Sequence, residues 1–524
     1  MRKYSQTKFN SEARMALIKG AGEVYKAVGT TLGPKGRNVV IWKSYRTKVI
    51  HDGINTAKEI EPQDPFENAG ANILKQAGQR QVKVVGDGTT VAIVLGYAIA
   101  SEALKIVESG VNPMSLRSGL EKGRDILIDE IKKLAVPLKT RQQKIEIATI
   151  SSGDEKLGEL IGDTWDKAGV DGVVTVEDSI GPEAFVDHED GLRIDSGYKT
   201  EYFVTNPENM TATVSKARIL VTDYKLDNIQ ELMPLLQDFT NNKETAIVFI
   251  GQDIEGSVLG SLVQTKIKGG AAVLAIKAPS YQMDKTLQDL AIAVGAKFIS
   301  KDLKMDLKKV VTEDLGYAER VTSSKEATVI ISGGGDPKTI KDRVDSIKHL
   351  LDEEENDFSK QKLRERLAKL TSGVYVVHAG GNTEVEVGER KERADDAVLA
   401  TQAAMRDGIV PGGEVVYLKI RDALKPKNEN EDYAYRILKN ALFIPFDKLL
   451  GNAGMNAGEQ YAYLKDRSFG WGIDLADGGI KNLSESGIVD PALVSIEAIK
   501  NAVSVAVALI TSDGVVCEVN EEKK

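Results

Sequence analysis

Apolar residues are spaced differently in three stretches of the chain, and each spacing predicts different secondary structure. From about residue 10 to 135 they recur every three or four positions among Ala, Glu and Lys, which predicts amphipathic helices. In the middle, the short runs V-V-T-V-E, T-A-I-V-F-I, A-A-V-L-A-I-K and A-K-F-I-S predict strands that alternate with helices, the pattern of an α/β layer. After A-G-G-N at 379–382 the chain again predicts helices, to about residue 510. We therefore expect an α+β multidomain fold whose α/β domain lies between about residues 190 and 372.

The size and charge of the chain narrow the classes of partner. Its 524 residues exceed what one hydrophobic core supports, so about two to four domains are expected. A formal net charge of -9 argues against nucleic acid or an anionic membrane as the main partner, because both need a basic surface. No uninterrupted apolar run approaches the roughly 20 residues of a membrane span, and the N-terminus lacks the apolar core of a signal peptide. The single cysteine, Cys517, favours a reducing, cytoplasmic compartment.

The string G-D-G-T-T at 86–90 places one acid between two glycines, directly before the apolar run V-A-I-V-L-G-Y-A-I-A. The glycines let backbone N–H groups approach a ligand, and the run predicts a buried helix whose positive N-terminal end suits phosphate. An acid beside phosphate needs a cation between them, which makes Asp87 a candidate Mg²⁺ ligand. A plain Gly-Asp turn that caps a core helix explains the string equally well, and both interpretations stay open here.

The other motifs are each ambiguous when taken alone. The loop T-T-L-G-P-K-G-R-N at 30–38 offers further backbone donors but is also common turn chemistry. Two acids, Asp395 and Asp396, begin an Ala-rich helix, where they would stabilise the helix dipole in any case. The sequence contains no G-x-x-x-x-G-K-[ST], H-E-x-x-H, C-x-x-C or G-x-S-x-G string, which argues against a P-loop, a zinc site or a serine hydrolase.

Taken together, the motifs resemble the group I chaperonins of the GroEL type. The matching strings run in the same order from about residue 10 to 516, and nine ordered matches make chance negligible. The strings are T-L-G-P-K-G-R-N-V, D-G-I-N-T-A-K-E-I-E, F-E-N-A-G-A, G-D-G-T-T, N-P-M-S-L-R-S-G-L, G-V-V-T-V-E-D, G-Y-K-T-E-Y-F, A-T-Q-A-A-M-R-D-G-I-V-P-G-G and S-G-I-V-D-P.

The resemblance implies the fold and the activity of a chaperonin subunit. It implies a helical equatorial domain at 1–135 plus 407–524, a small hinge-like intermediate domain at 136–190 plus 373–406, and an α/β apical domain at 191–372. Such a subunit belongs to a homo-oligomeric ring of seven that hydrolyses ATP and promotes the folding of unfolded or partly folded polypeptides. The alternatives are a ring-forming holdase or scaffold without productive hydrolysis, and a monomeric α/β nucleotide enzyme.

The resemblance also implies which residues handle the nucleotide. The cofactors are ATP and Mg²⁺, with K⁺ as an optional further cation. Asp87 becomes the Mg²⁺ ligand, Asp52 and Asp396 flank the attacking water, and Asp396 is the preferred base. Gly413 and Asp490 hold the ribose side. The phosphates are lined by Thr31, Leu32, Gly33, Pro34, Gly88, Thr89 and Thr90.

Polypeptide capture is expected on exposed apolar residues of the apical domain, because an unfolded chain offers apolar surface and little fixed geometry. Some of these positions fit equally well as ordinary core residues, since helical apolar stripes usually face inward. Gln264 is polar where the family is apolar. The positions implied by the resemblance are Tyr198, Tyr202, Phe203, Met233, Leu236, Leu259 and Val263.

Several positions depart from the family pattern. Glu414 replaces the third glycine of a G-G-G string near the ribose, and K-A-P-S-Y-Q-M-D-K at 277–285 replaces a Gly-rich apical string. Asp447 and Asn456 stand where the family has an Arg and a Glu that meet between two rings. Losing that opposite-charge pair weakens the contact, so we expect single as well as double rings. The need for a co-chaperonin lid stays open.

Overall fold

The computed structural model describes the chain except for residues 1, 2, 44, 45, 51, 171, 180, 190, 208, 209, 280–282, 355, 372 and 521–524. The departure at 277–285 therefore lies partly outside the described residues. The chain forms two compact units, residues 1–166 with 381–524 and residues 167–380. The two ends of the chain thus belong to one unit. The predicted intermediate domain divides between the two units, and the three-domain division stays a prediction.

The first unit is mainly helical. Its helices are α1 (Asn10–Gly29), α2 (Gly53–Glu59), α3 (Pro65–Val85), α4 (Thr89–Glu108), α5 (Pro113–Leu134), α6 (Arg141–Ser152), α7 (Glu155–Ala168), α13 (Glu384–Asp407), α14 (Val415–Ile420), α15 (Glu429–Ala441), α16 (Ile444–Asn452), α17 (Ala457–Leu464) and α18 (Ala492–Thr511). Its strands are β1 (Lys3–Phe9), β2 (Val39–Lys43), β3 (Arg46–Ile50), β15 (Ile409–Pro411), β16 (Trp471–Asp474), β17 (Gly479–Asn482), β18 (Val489–Pro491) and β19 (Gly514–Asn520). They form antiparallel pairs, β1 with β19, β2 with β3, β15 with β18 and β16 with β17.

Local capping explains where the helices of this unit begin. At the start of α3, Asp64 accepts hydrogen bonds from the backbone N–H groups of Phe66 and Glu67, and Pro65 occupies the first turn, where no N–H is needed. Asn112 and Pro113 repeat this arrangement at the start of α5. The sequence therefore places both helix starts by the same short-range chemistry.

Two helices of the described chain, α4 and α18, are long and apolar enough to cross a bilayer by length and composition alone. A few polar residues interrupt each helix, so neither forms an uninterrupted apolar run in the sequence. Both are mostly buried, and they pack against each other in the core of the first unit. Packing in that core accounts for their apolar composition, and α4 confirms the buried helix predicted after G-D-G-T-T.

The second unit contains two sheets and their covering helices. Its strands are β4 (Val173–Asp178), β5 (Phe185–Glu189), β6 (Gly191–Ile194), β7 (Ala212–Val221), β8 (Lys225–Leu226), β9 (Ala246–Gly251), β10 (Asp253–Ile254), β11 (Ala272–Lys277), β12 (Gly316–Ser323), β13 (Thr328–Gly333) and β14 (Val374–Ala379). Its helices are α8 (Ile229–Asn241), α9 (Gly256–Ile267), α10 (Met283–Val294), α11 (Pro337–Glu353) and α12 (Asp357–Thr371).

The larger sheet has the strand order β11-β9-β7-β12-β13-β6. Its strands β11, β9 and β7 are parallel, and β12, β13 and β6 continue antiparallel. Strand β9 is buried along its whole length, as expected for a central parallel strand with an uninterrupted apolar sequence. The smaller sheet has the order β4-β14-β5. These strands confirm the predicted α/β character of the middle of the chain.

One predicted strand is wrong. The run A-K-F-I-S at 296–300 forms only an isolated bridge, between Ile299 and Thr222. Ile299 is buried, and its backbone N–H donates to the carbonyl oxygen of Val221. A short apolar run next to a glycine therefore fills the core here without extending a sheet, an ambiguity that periodicity cannot resolve over five residues.

Candidate nucleotide-binding site

The G-D-G-T-T string forms the turn between α3 and α4. Gly86 ends α3 with a φ of 72° and Gly88 precedes α4 with a φ of 75°, a left-handed conformation that favours glycine. A Cβ atom on Gly86 would lie 2.9 Å from Cβ of Leu399 and 3.1 Å from Cα of Asp396. The turn therefore packs directly against α13 at Asp396. This brings Asp87 and Asp396, more than 300 positions apart in the sequence, to the same place.

A second contact brings the start of α2 and the loop after α1 to the same turn. A Cβ atom on Gly53 would lie 2.1 Å from Oγ1 of Thr90 and 3.4 Å from Oγ1 of Thr31. Asp52 caps α2, and its Oδ2 accepts a hydrogen bond from the backbone N–H of Asn55 at 2.8 Å. Thr31 and Thr90 therefore lie beside Gly53, the residue that follows Asp52.

The loop at 31–34 takes its shape from the chain around it. Gly33 has a φ of 78°, and a Cβ atom there would collide with the side chain of Leu449. The side-chain amide of Asn452 donates to the carbonyl oxygens of Gly29 and Leu32 at 3.0 and 2.9 Å. These contacts fix the backbone of Leu32, Gly33 and the following Pro34, so that Thr31 faces the start of α4.

The acids of this site repel one another. Burial raises the pKa of Asp87, the charge of Asp52 adds to the rise, and the N–H of Gly88 opposes it. Burial, followed by the charges of Asp87 and Asp52, also raises the pKa of Asp396 well above its usual range. Such a cluster gains stability when a cation enters it.

The donor set fits Mg²⁺ bound together with a nucleotide. Among the described residues, no three His, Cys, Asp or Glu side chains are placed to hold a metal by themselves. Mg²⁺ is usually held by one or two carboxylates together with water and substrate phosphates, so a full protein cage is not needed. Asp87, partly buried beside the N-terminus of α4, has the surroundings expected of that carboxylate.

Of the residues implied for the ribose, Asp490 lies on β18, and Gly413 lies just after β15. Val410 pairs with Asp490, and the N–H of Gly412 donates to the carbonyl oxygen of Ile488 at 2.9 Å. Gly413 follows with a φ of 65°. Burial raises the pKa of Asp490 to about 7, and the charge of Asp87 contributes to this rise. The chain reaches the G-D-G-T-T turn shortly after Asp490, because a Cβ atom on Gly88 would lie 2.5 Å from Cγ1 of Val494.

The sequence profile of the TCP-1/cpn60 chaperonin family matches residues 24–520. The chain belongs to this chaperonin family. The fold is also similar to two crystal structures of the chaperonin gp146 from the bacteriophage EL 2 (Pseudomonas aeruginosa), both in the presence of ATP-BeFx. In both comparisons the sequences are 21% identical, and the match covers 98% of this chain and 99% of the gp146 chain. The TM-score is 0.72 for crystal form II and 0.64 for crystal form I. The resemblance drawn from nine short strings is thereby confirmed.

The apical positions implied for polypeptide capture separate into three groups in this chaperonin. Tyr202 is 67% exposed and Met233 is 37% exposed. Leu236, Leu259 and Val263 are partly buried against the core of the second unit. Tyr198 and Phe203 are only 6% and 1% exposed. The expectation of exposed apolar surface is therefore wrong for Tyr198 and Phe203, whose rings pack into the core.

A buried polar pair beneath the phosphate turn was missed by sequence reasoning. The Gln81 amide donates to the carbonyl oxygen of Val494 at 3.0 Å and accepts from Nδ2 of Asn501 at 3.0 Å. A Cβ atom on Gly88 would lie 2.5 Å from Cγ1 of Val494 and 3.1 Å from Nε2 of Gln81. The one available signal was that Gln81 interrupts the buried apolar face of α3.

We expect Gln81→Leu to destabilise the end of α3 by about 1–3 kcal/mol, because it leaves the Asn501 amide buried without its acceptor. The double variant Gln81→Leu with Asn501→Leu should lose less opening free energy than the sum of the two single substitutions, because it removes both amides and leaves no unpaired partner. Hydrogen exchange of peptides from α3 measures the opening free energy. Additive losses in the three variants would show that the two amides do not depend on each other.

Proposed function

We propose that this chaperonin is an ATPase that couples hydrolysis to the folding of bound, non-native polypeptides. The observation that carries the proposal is the convergence of Asp52, Asp87 and Asp396 at the N-terminus of α4. Family membership supports a chaperone that binds unfolded proteins and assembles into an oligomeric ring. The crystal structures of gp146 in the presence of ATP-BeFx support nucleotide binding.

The chain's own groups supply most of the chemistry of hydrolysis. The free N–H groups and the positive end of α4 bind phosphate oxygens, and the hydroxyls of Thr89 and Thr90 complete the cradle. Thr31 lines this cradle, and its hydroxyl donates to the carbonyl oxygen of Val28 at 2.8 Å. Asp87 would hold Mg²⁺, which would supply positive charge to offset the charge that builds up on the transferred phosphoryl group. Asp396 orients the attacking water and accepts its proton, with Asp52 beside it. A carboxylate with a raised pKa accepts a proton more readily than an ordinary one.

The position of Asp396 suggests how hydrolysis is coupled to motion. The chain enters the first unit at Gly381, and α13 begins at Glu384 and carries Asp396. A change in the orientation of α13 would therefore move the proton acceptor toward or away from the phosphates. We propose that nucleotide binding selects the orientation that completes the site, as lid and hinge motions do in other enzymes.

We propose that the subunits form a homo-oligomeric ring of seven in the cytoplasm. Asn456 caps α17 by accepting a hydrogen bond from the backbone N–H of Glu459 at 3.1 Å, and Asp447 lies on α16. Neither residue supplies the cation of the family's ring-to-ring pair. Back-to-back rings are therefore expected to be weakly joined.

The native mass of the purified protein tests the assembly. With subunits of 56.8 kDa we expect about 400 kDa for one closed ring and about 800 kDa for two, with ATP shifting the population toward one ring. Mass photometry with and without Mg-ATP measures both species. Monomers or dimers under all conditions would contradict a ring, whereas an unchanged double ring would contradict only the weak contact.

Polypeptide capture is proposed to use the exposed apolar residues of the second unit. We expect the double variant Tyr202→Ser with Met233→Ser to reduce capture of a chemically denatured protein several-fold, because it removes apolar area that the client would cover. Leu350→Ser, which removes an equally exposed apolar side chain on α11, is the matched control. Suppression of client aggregation, followed by light scattering, measures the effect. Equal losses in both variants would contradict a specific capture surface.

A further inference from the structure

Glu414 has an unfavourable backbone conformation in the nucleotide site. Its φ is 62° and its ψ is 9°, a left-handed conformation that a residue with a Cβ atom rarely adopts. Of the non-glycine residues with positive φ that the structure describes, Glu414 alone lies in this site. A glycine would fit this position without strain. Strain that persists at a binding site indicates that the side chain has a use.

The pairing of β15 with β18 brings the turn that contains Glu414 to the strand that carries Asp490. Strand β15 runs antiparallel to β18, and Glu414 follows directly on the turn that leaves β15. Burial raises the pKa of Glu414 well above its usual range, and the charges of Asp490 and then Asp87 raise it further. Its charge in turn raises the pKa of the buried Tyr417 hydroxyl, after the larger effect of burial. The Glu414 side chain is partly shielded from solvent, and its carboxyl group lies within electrostatic reach of Asp490.

Two carboxyl groups at this end of the site can accept hydrogen bonds from a ligand that donates them. Phosphate oxygens only accept, and the N-terminus of α4 already provides their donors. A ribose offers two neighbouring hydroxyl groups, and acidic side chains bind ribose hydroxyls in other nucleotide sites. A ribose placed between the phosphates and the β15–β18 ribbon would present these hydroxyls to Asp490 and Glu414.

We propose that Glu414 and Asp490 together accept hydrogen bonds from the 2′- and 3′-hydroxyls of a bound nucleotide, so that Glu414 makes the site selective for ribonucleotides over deoxyribonucleotides. This inference rests on the proposed ATP site. A site that hydrogen-bonds a substrate hydroxyl discriminates against the analogue that lacks it, because the buried acceptor is then left unpaired. The expected preference for the ribonucleotide is roughly 10- to 100-fold in dissociation constant.

Calorimetric titration of the full-length protein with ADP and with 2′-deoxy-ADP, in the presence of Mg²⁺, tests the proposal without requiring turnover. The wild type should bind ADP more tightly by the stated factor. Glu414→Gly, which also relieves the backbone strain, and Glu414→Ala, which keeps the Cβ atom, should both reduce the preference to about threefold or less. Lys419→Ala, an exposed residue of α14, is the control and should keep the wild-type preference.

Three results would contradict the proposal. A wild type that binds both diphosphates equally would show that no discrimination exists. Glu414 variants that keep the wild-type ratio would assign the discrimination to other residues. Variants that strengthen binding of both nucleotides by the same factor would show that Glu414 acts only by repelling phosphate charge. A wild type that binds neither nucleotide would contradict the proposed ATP site itself, which separates the two failures.

Discussion

Replacing Asp396 by alanine is expected to lower steady-state ATP hydrolysis by about 10²- to 10⁴-fold, the range typical of a general base. The carboxyl group lies beside the Asp87 turn, because Gly86 packs on the backbone of Asp396. Its pKa is raised by burial and by the neighbouring acids, which favours proton transfer from the attacking water. Without this carboxylate the phosphates remain bound but the water is neither oriented nor deprotonated.

Nucleotide binding and phosphate release separate this role from a structural one. Asp396→Ala should bind Mg-ATP with an affinity close to that of the wild type and release phosphate far more slowly. Asp407→Ala, at the exposed end of the same helix, is the control and should hydrolyse ATP at the wild-type rate. An Asp396→Ala protein that hydrolyses ATP normally would remove the residue from the mechanism.

The largest effect on stability is expected in the second unit, at Asp289. This buried carboxylate on α10 accepts hydrogen bonds from Arg343 of α11 at 2.7 Å and from Arg366 of α12 at 2.7 and 3.0 Å. It therefore joins three helices through one side chain. Asp289→Ala leaves two guanidinium groups, both mostly shielded from water, without their counter-charge. We expect a loss of about 3–5 kcal/mol in the opening free energy of α11 and α12.

Hydrogen exchange of peptides from α11 and α12 in the intact protein measures this loss. A change of that size should accelerate exchange through local opening by roughly 100-fold or more. Asp345→Ala removes an acid from the exposed side of α11, where it pairs with Lys348, and should change the opening free energy by less than about 1 kcal/mol. Equal exchange in the two variants would show that the Asp289 cluster does not hold the helices together.

Features determined by nearby residues could be predicted from the sequence. The G-D-G-T-T string needs left-handed glycines on both sides of Asp87, and α4 follows as the buried helix that its apolar sequence indicates. The alternation of strands and helices in the middle of the chain likewise follows from local periodicity. Because these signals depend on only a few neighbouring residues, they can be recognised in the sequence without knowledge of the tertiary structure.

Features determined by distant packing could not be predicted in the same way. Tyr198 and Phe203 are aromatic residues of the kind expected on a capture surface, and only the tertiary structure shows that they are buried. The side-chain amides of Gln81 and Asn501 form a hydrogen bond although the two residues are 420 positions apart in the sequence. Neither position alone therefore indicates a buried polar network. The meeting of Asp396 with Asp87 was supplied by family resemblance, because nothing local in the α13 sequence distinguishes Asp396 from a helix-stabilising acid.

The measurement that tests the central claim most directly is the recovery of a chemically denatured client enzyme, followed by its own activity. The wild-type protein should hold the client inactive without nucleotide and return it to activity when Mg-ATP is added. Asp396→Ala should hold the client equally well but return far less of it at the same concentration of ATP. Recovery that is independent of ATP, or equal in the wild type and Asp396→Ala, would contradict an ATP-driven folding cycle and favour a holdase.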